Sequence, residues 1–159
     1  MKIAVGSDER TGLVDAVLAE LAKRGIEAAY VGPPAGEERD WPEVTVDAVE
    51  RVTAGEADEA IVMCWTGTGC TLAANKVPGI RAALCQDAET ARGARVWNHA
   101  NVLGLSLRAT SEAMAREILE AWFATPWSDD EWNRRQIARI RALEERFGAA
   151  SSPRPLEEG

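Results

Sequence analysis

Five short apolar runs alternate with stretches of helical periodicity, and this alternation constrains the fold more than any other feature of the chain. The runs cover residues 2–6, 27–31, 60–64, 80–85 and 101–106. Apolar runs of this length indicate strands that are buried on both faces, as in a parallel sheet with helices on either side. We therefore predict an α/β fold: a doubly wound, Rossmann-like, five-stranded parallel sheet in three α/β/α layers.

Between the predicted strands, apolar residues recur at the spacing of one helix face. Gly25 and Gly55 are placed to end the first two helices, and Pro42 to begin the second. Ser128 begins a capping box for a last helix. The predicted apolar positions of that helix are Ile137, Ile140, Leu143 and Phe147. Residues 1–148 are predicted to form one domain, and residues 149–159 a disordered tail.

Charge and cysteine content exclude several classes of partner. A net charge of −8 argues against nucleic acid or an anionic membrane as a partner. No apolar run approaches the ~18 residues that a membrane span requires. The three cysteines are an odd number, and no secretory signal begins at Met1. Both observations predict a cytoplasmic protein with reduced thiols.

The third apolar run leads directly into a loop with two glycines. The sequence is Cys64-Trp65-Thr66-Gly67-Thr68-Gly69, and residues 70–76 are predicted to be helical. Glycine permits close approach of the backbone to a ligand, and the N–H groups at a helix start favour an anion. The same environment lowers the pKa of a thiol, so Cys64 and Cys70 are candidate bases or nucleophiles. Ligands of parallel sheets bind at the carboxyl ends of the strands, where this loop and Asp8 are both predicted to lie.

The loop and the following Ala73-Ala74-Asn75-Lys76 resemble the type B ribose-5-phosphate isomerase and galactose-6-phosphate isomerase family, of which this chain looks like a divergent member. Further similar motifs occur in the same order over about residues 2 to 145: Gly6-Ser7-Asp8, Asp40-Trp41-Pro42, residues 77–85, Asn101-Val102-Leu103 and Arg108. The resemblance implies an aldose–ketose isomerase that acts on a small sugar phosphate through an enediolate, without metal or organic cofactor. It also implies a homodimer or tetramer with the pocket at a subunit interface.

The resemblance assigns roles to residues of the loop. Cys64 would be the base and Thr66 would assist it, while the backbone of Gly67 and Gly69 would hold the enediolate oxygen. One branch of the family has a glutamate base at the position of Cys70, which is therefore interpreted either as a second base or as a packing residue. The remaining residues of the predicted substrate site near the loop are Asp8, which would bind sugar hydroxyls, Trp65, Thr68 and Arg108.

Several positions depart from the family pattern. Glu9 replaces a histidine of the first loop and is, with His99, a candidate to replace the family's ring-opening histidine. Trp65 replaces a loop glycine. The ring-opening histidine that precedes Asn98 is Trp97 here. His99, the only histidine, stands one position beyond Asn98 and is interpreted as either catalytic or structural. These changes predict a more aromatic pocket than that of the family.

The phosphate site of the last helix departs as well. Trp132 and Gln136 stand where the family has two arginines. Arg135 and Arg139 lie on nearly the same helical face and are candidate replacements. If they do not compensate, free sugars should rival their phosphates as substrates, and a non-phosphorylated sugar is the alternative. The departures also leave open a four-carbon substrate that does not cyclise, or a non-catalytic sugar-binding homologue.

Two nucleotide-binding interpretations fail on the residues. A dinucleotide fingerprint needs a small residue where Leu72 stands, and a phosphate-binding Walker loop needs a Gly-Lys-Ser/Thr sequence that the chain lacks.

Cys85 is predicted to be a core residue, and Trp122 and Trp127 to be packing residues.

Overall fold

A computed structural model describes residues 1–148 of the chain, and the predicted tail, 149–159, lies outside the described residues. The elements are β1 (Lys2–Ser7), α1 (Gly12–Lys23), β2 (Glu27–Tyr30), α2 (Trp41–Thr53), β3 (Glu59–Cys64), α3 (Thr68–Ala74), β4 (Ala82–Leu84), α4 (Ala88–Asn98), β5 (Val102–Ser106), α5 (Glu112–Ala124) and α6 (Glu131–Gly148). The strands form one parallel sheet in the order β2-β1-β3-β5-β4. This confirms the predicted fold class. Within residues 1–148, no helix combines the length and the apolar character needed to cross a membrane.

The sheet is buried on both faces by two hydrophobic clusters. The larger cluster includes Val17, Met63 and Trp122, and the smaller includes Ala48 and Val62. Because successive side chains of a strand point to opposite faces, Val62 and Met63 of β3 belong to different clusters. The three central strands β1, β3 and β5 are therefore apolar nearly throughout, as a parallel sheet requires.

The fourth strand and the third helix differ from the prediction. The predicted strand at 80–85 shortens to Ala82–Leu84, whose side chains are only half-buried because β4 is an edge strand. The predicted helix at 70–76 begins instead at Thr68, directly after Gly67, which has a φ of 75°. The predictions for Gly25 and Gly55 are confirmed, since both adopt positive φ just after a helix.

The last helix also differs from the prediction. The residue that caps α6 is Asp130, not Ser128, because the Asp130 carboxylate accepts the backbone N–H of Asn133 at 2.9 Å. The Ser128 hydroxyl accepts the N–H of Asp130 instead. Of the four predicted apolar positions only Ile137 is buried. The other three are exposed, so α6 presents an uncovered apolar stripe in a single chain: Ile140, Leu143 and Phe147.

A buried ion pair ties α4 and α5 to the start of β3. The Arg95 guanidinium donates to one oxygen of Glu59 at 2.7 Å, and the Trp122 indole N–H donates to the other oxygen at 2.7 Å. Arg95 also lies 5.0 Å from the centroid of the Trp122 ring and donates to the carbonyl of Ala100 at 2.7 Å. Both charges are thus removed from water with their hydrogen bonds made, as a buried pair requires.

Candidate active site

The loop after β3 is held in place by the sheet beneath it. Gly67 has a φ of 75°, which favours glycine, and its N–H donates to the carbonyl of Cys64 at 3.1 Å. A Cβ atom at Gly67 would lie 2.6 Å from Leu84 and 2.9 Å from the backbone of Leu105. The loop therefore packs directly on β4 and β5, and only a residue without a side chain fits at this point.

Cys64 is the last residue of β3, and its thiol lies beside the first turn of α3. Its sulfur accepts the backbone N–H of Cys70 at 3.4 Å. A hydrogen bond from the Cys70 side chain, helped by backbone N–H groups of Cys70, Gly67 and Thr66, lowers the pKa of Cys64 to about 5 against the cost of burial. The Cys64 side chain is therefore a thiolate near neutral pH, which is the reactive form.

Cys70 lies beside Cys64 in the opposite protonation state. It is fully buried, and its thiol donates to the carbonyl of Gly67 at 3.3 Å. The hydrogen bond with Cys64, together with burial, raises the pKa of Cys70 well above the usual range of a thiol. One proton is thus held on the inner sulfur, and the outer sulfur carries the charge.

The Cys64 thiolate faces a cleft of about 320 Å³ at the carboxyl edge of the sheet. The cleft is lined by Asp8, Trp41, Cys64, Trp65, Thr66, Thr68 and Gly69. Burial and the nearby negative charge of Cys64 raise the pKa of Asp8 to about 6. The hydroxyl oxygens of Thr66 and Thr68 are 2.7 Å apart and face solvent. The cleft therefore combines a thiolate, a carboxyl that titrates near neutrality, and hydroxyl groups.

Trp65 connects this cleft to a smaller one of about 220 Å³ that is also lined by Asp8, Glu9, Glu38 and Arg39. Glu9 pairs with Glu38 through an isolated backbone bridge. The Trp65 ring lies 6.0 Å from the guanidinium of Arg108, whose backbone N–H donates to the Trp65 carbonyl at 3.1 Å. All predicted site residues between 8 and 70, together with Arg108, thus lie on one edge of the sheet.

Trp41 is a cleft residue that the sequence pattern alone does not assign to the site. A Cβ atom at Gly69 would lie 3.2 Å from the Trp41 indole, so the ring rests on the backbone of the loop. The signal that could have found it is the Asp40-Trp41-Pro42 match to the family motif. Trp41 and Trp65 make two walls of the cleft aromatic, in line with the expected aromatic pocket.

The other predicted site residues lie at the opposite edge of the sheet, where the strands begin. Trp97, Asn98 and His99 end α4 and precede β5. Ala60 pairs with Val102 at the start of β5, whereas Cys64 pairs with Ser106 at its end. These two levels are about 13 Å apart for four residues of strand. Within one chain the 97–99 segment therefore does not meet Cys64.

The α6 residues belong to this second edge. Arg139 lines a groove of about 460 Å³ with Trp97, Asn98 and the apolar residues Ile137 and Ile140. Trp132 is exposed. Arg135 pairs with Glu131 at 3.6 Å, and the Arg139 guanidinium donates to Gln136 at 3.1 Å. The two arginines are accessible from solvent on the surface of α6.

His99 connects the end of α4 to the segment before α6. It adopts a left-handed backbone with a φ of 47°. Its ring stacks on Trp127 at 5.4 Å with an angle of 3° between the planes, and its Nε2 lies 2.7 Å from the carbonyl of Ser128. A carbonyl oxygen only accepts hydrogen bonds, so Nε2 carries the hydrogen. The predicted burial of Trp122 and of Cys85 is confirmed, whereas Trp127 is 43% exposed and packs on His99 with one face of its ring.

Fold and cleft together define a parallel α/β protein with an ionised cysteine at the carboxyl edge of its sheet. The ribose/galactose isomerase family profile matches residues 3–141. Ribose-5-phosphate isomerase B of Escherichia coli is 33% identical over 147 residues, which are 91% of this chain and 97% of that protein. D-erythrulose-4-phosphate isomerase of Pectobacterium atrosepticum is 35% identical over 124 residues, 77% of this chain and 82% of that protein.

A solved structure agrees with these sequence relationships. Ribose-5-phosphate isomerase B of Clostridium thermocellum superposes with a TM-score of 0.88 at 36% identity, covering 92% of this chain and 99% of that one. The chain therefore belongs to the ribose/galactose isomerase family. It is an aldose–ketose isomerase, an enzyme of the intramolecular oxidoreductase class.

Proposed function

We propose that the Cys64 thiolate is the base that moves a proton between two adjacent carbons of a small sugar phosphate. The observation that carries this proposal is a cysteine with a pKa of about 5 that opens into a cleft. The thiolate removes the proton next to the carbonyl, an enediolate forms, and the resulting thiol returns the proton to the neighbouring carbon. The Gly67 N–H, expected to hold the enediolate oxygen, donates to the Cys64 carbonyl instead, and the Cys70 N–H donates to the Cys64 sulfur. In this proposal the N–H groups of Thr68 and Gly69, in the first turn of α3, stabilise the oxygen that becomes negative.

The neighbouring polar groups have separate tasks in this proposal. Asp8 binds the sugar hydroxyls and, with a pKa of about 6, can exchange a proton with the enediolate oxygens. The paired hydroxyls of Thr66 and Thr68 provide hydrogen-bond donors at the mouth of the cleft. Trp41 and Trp65 exclude water from the apolar side of the substrate. The three free thiols are consistent with work in the cytoplasm, which we propose as the location.

We further propose that a second copy of the chain completes each site. One copy would supply the Cys64 cleft, and the other would supply Trp97, Asn98 and the cations Arg135 and Arg139 of α6. Two observations support a homodimer: the predicted site residues lie at opposite edges of one chain, and α6 has an uncovered apolar stripe. A two-fold dimer of this kind would hold two identical shared sites.

This arrangement predicts complementation between two inactive variants. Cys64→Ala removes the base, and Arg135→Ala/Arg139→Ala removes the proposed phosphate cations. When the two are unfolded and refolded together, mixed dimers contain one site with both intact halves. Random pairing should then restore about a quarter of the wild-type rate, measured as aldose–ketose exchange. Each variant refolded alone is the control. A mixture that stays as inactive as its components would contradict the shared site.

The substrate that we propose is a four-carbon sugar phosphate. A tetrose with a phosphate on its terminal oxygen cannot close a five-membered ring, so no ring-opening acid is needed. Trp97 stands at the family's ring-opening position, and an indole cannot transfer a proton in this way. His99 is already engaged with Ser128 and Trp127. The similar protein from Pectobacterium atrosepticum, named D-erythrulose-4-phosphate isomerase, supports the same size of substrate.

The size of the substrate can be tested with a panel of sugars and one variant. We expect D-erythrulose 4-phosphate to be converted at least about tenfold more efficiently than ribose 5-phosphate, and its phosphate-free form to be a poor substrate. His99→Asn, which tolerates the left-handed backbone, should keep most of this activity. Efficient turnover of ribose 5-phosphate that is lost in His99→Asn would instead assign ring opening to His99. A preference for the free sugar would favour a non-phosphorylated substrate.

A further inference from the structure

The Thr71 hydroxyl lies between the loop of the site and the sheet. It donates to the carbonyl of Gly67 at 2.7 Å. On its other side it lies against Gly104 of β5, where a Cβ atom would overlap the hydroxyl oxygen. Gly104 is buried in the sheet, paired with Val62 on one side and Leu84 on the other. A threonine often donates to the fourth preceding carbonyl of its helix, but here a glycine of the sheet provides the space for the hydroxyl.

The hydroxyl is the strongest of three donors to the Gly67 carbonyl. The N–H of Thr71 and the thiol of Cys70, a weak donor, also point to this oxygen, but both lie at 3.3 Å. Gly67 has a φ of 75°, and a glycine restricts the rotation of its neighbouring peptide units less than any other residue. The direction of the peptide unit that joins Gly67 to Thr68 therefore depends mainly on the Thr71 hydroxyl.

The direction of this carbonyl also sets the direction of the next N–H. In a planar trans peptide, the C=O of Gly67 and the N–H of Thr68 point in opposite directions. The N–H groups of a first helical turn point out of the helix. The Cys64 sulfur lies on that side, because it accepts the N–H of Cys70 at 3.4 Å. Within residues 1–148 the Thr68 N–H makes no hydrogen bond, and Thr68 lines the cleft. It is therefore a free donor on the side of the proposed base.

We propose that Thr71 is a positioning residue, whose hydroxyl fixes the Gly67–Thr68 peptide so that the Thr68 N–H meets the oxygen that becomes negative. This inference rests on the proposed function, in which the Thr68 N–H stabilises the enediolate. Such a donor is most effective when its direction is set before the reaction, because no reorganisation is then needed. Thr71 does not line the cleft and acts only through this peptide.

The first test compares Thr71→Ala with Thr71→Ser, two variants that differ only in the hydroxyl. We expect Thr71→Ala to lower kcat by about 10- to 100-fold with little change in KM, because a misdirected donor weakens binding of the transition state more than that of the substrate. Thr71→Ser should restore most of the loss. Thr53→Ala is the matched control, since the Thr53 hydroxyl also donates to a carbonyl of its own helix, at 3.0 Å, but is exposed and outside the cleft.

The second test fills the space behind the hydroxyl with Gly104→Ala. The new methyl group would displace the Thr71 hydroxyl, whereas the carbonyl of Ala83 would lie at 3.5 Å, an ordinary contact. We expect Gly104→Ala to lower kcat as Thr71→Ala does. Added to Thr71→Ala, in which the space is empty, it should cause little further loss. Effects that multiply fully in the double variant would contradict the link between the two residues.

The remaining outcomes separate this inference from the proposed function. An unchanged kcat in Thr71→Ala, or a loss of equal size in Thr71→Ser, would overturn the positioning role. If thermal unfolding shows that Thr71→Ala does not fold, Gly104→Ala decides, and a wild-type kcat in that variant would overturn the role. If neither variant folds, the hydroxyl is structural and the inference fails. Failure of the proposed function has another signature, because Cys64→Ala would then keep its activity in the same assay.

Discussion

Replacing Cys64 with alanine should lower kcat by about 10²- to 10⁴-fold, which is the usual contribution of a general base. The variant loses the thiolate that removes the proton, whereas the loop keeps its shape because Gly67 is held by β4 and β5. The measurement is aldose–ketose exchange on the best substrate of the panel, together with thermal unfolding. Cys85→Ala is the matched control, since this thiol is buried in the core outside the cleft. Loss of similar size in both variants would contradict the assignment of the base.

The pH profile gives a second measurement of the same prediction. The pKa of Cys64 is depressed to about 5, so its active thiolate form is present above that pH and is lost as the pH falls through it. Asp8 has a raised pKa of about 6, so it gains a proton as the pH falls through 6. We therefore expect kcat/KM to fall between about pH 6 and pH 5. Constant kcat/KM down to pH 4 would contradict a thiolate base.

Replacing Glu59 with alanine should destabilise the fold by about 3–5 kcal/mol, because it leaves a buried charge without its partner. The Arg95 guanidinium would lose the carboxylate at 2.7 Å, and the Trp122 N–H would lose its acceptor. Because the side chains of Arg95 and Glu59 are both buried, water cannot easily replace the lost hydrogen bonds. The measurement is the free energy of unfolding in urea, with the change of slope monitored as a test of two-state behaviour.

Two controls separate the buried pair from a general effect of charge. Glu59→Gln keeps an acceptor for Trp122 but not the negative charge, so its effect should lie between those of wild type and Glu59→Ala. Glu120→Ala removes an exposed carboxylate that pairs with Arg24 at 2.9 Å, and its effect should stay within about 1 kcal/mol. If Glu59→Ala cost no more than Glu120→Ala, the network would have no stabilising role.

The sequence predicts best what depends on local patterns. The five apolar runs identify the strands, and the pattern around Gly67 identifies the loop, because both follow from periodicity and backbone freedom. The half-exposed β4 was not predictable in this way. Whether an apolar run becomes a central or an edge strand depends on the order of strands in the sheet, which no local pattern contains. The start of α6 was ambiguous because Ser128 and Asp130 are both residues that cap helices.

In the candidate site too, the residues that belong to one local motif could be predicted, whereas those brought together by the packing of the elements could not. Cys64 and its loop could be assigned from one contiguous motif, whereas Trp41 reaches the cleft only because α2 packs beside α3. The placement of Trp97 and His99 away from Cys64 follows from the direction of α4, which runs back to the start of β5. A motif carries no information on that direction, and only the family resemblance implied that the pocket lies at a subunit interface.

The packing of Gly67 against Leu84 and Leu105 has a consequence for how this protein would tolerate change. The loop fits closely against the side chain of Leu84 and the backbone of Leu105, so the position of the Cys64 sulfur depends on both strands. A larger or smaller residue at Leu84, whose side chain is only half-buried, would cost the fold little stability, but it would move the loop by a fraction of an ångström. Turnover would then decline in variants that are still fully folded. The reaction, before the stability of the fold, would limit which residues are tolerated beneath the loop.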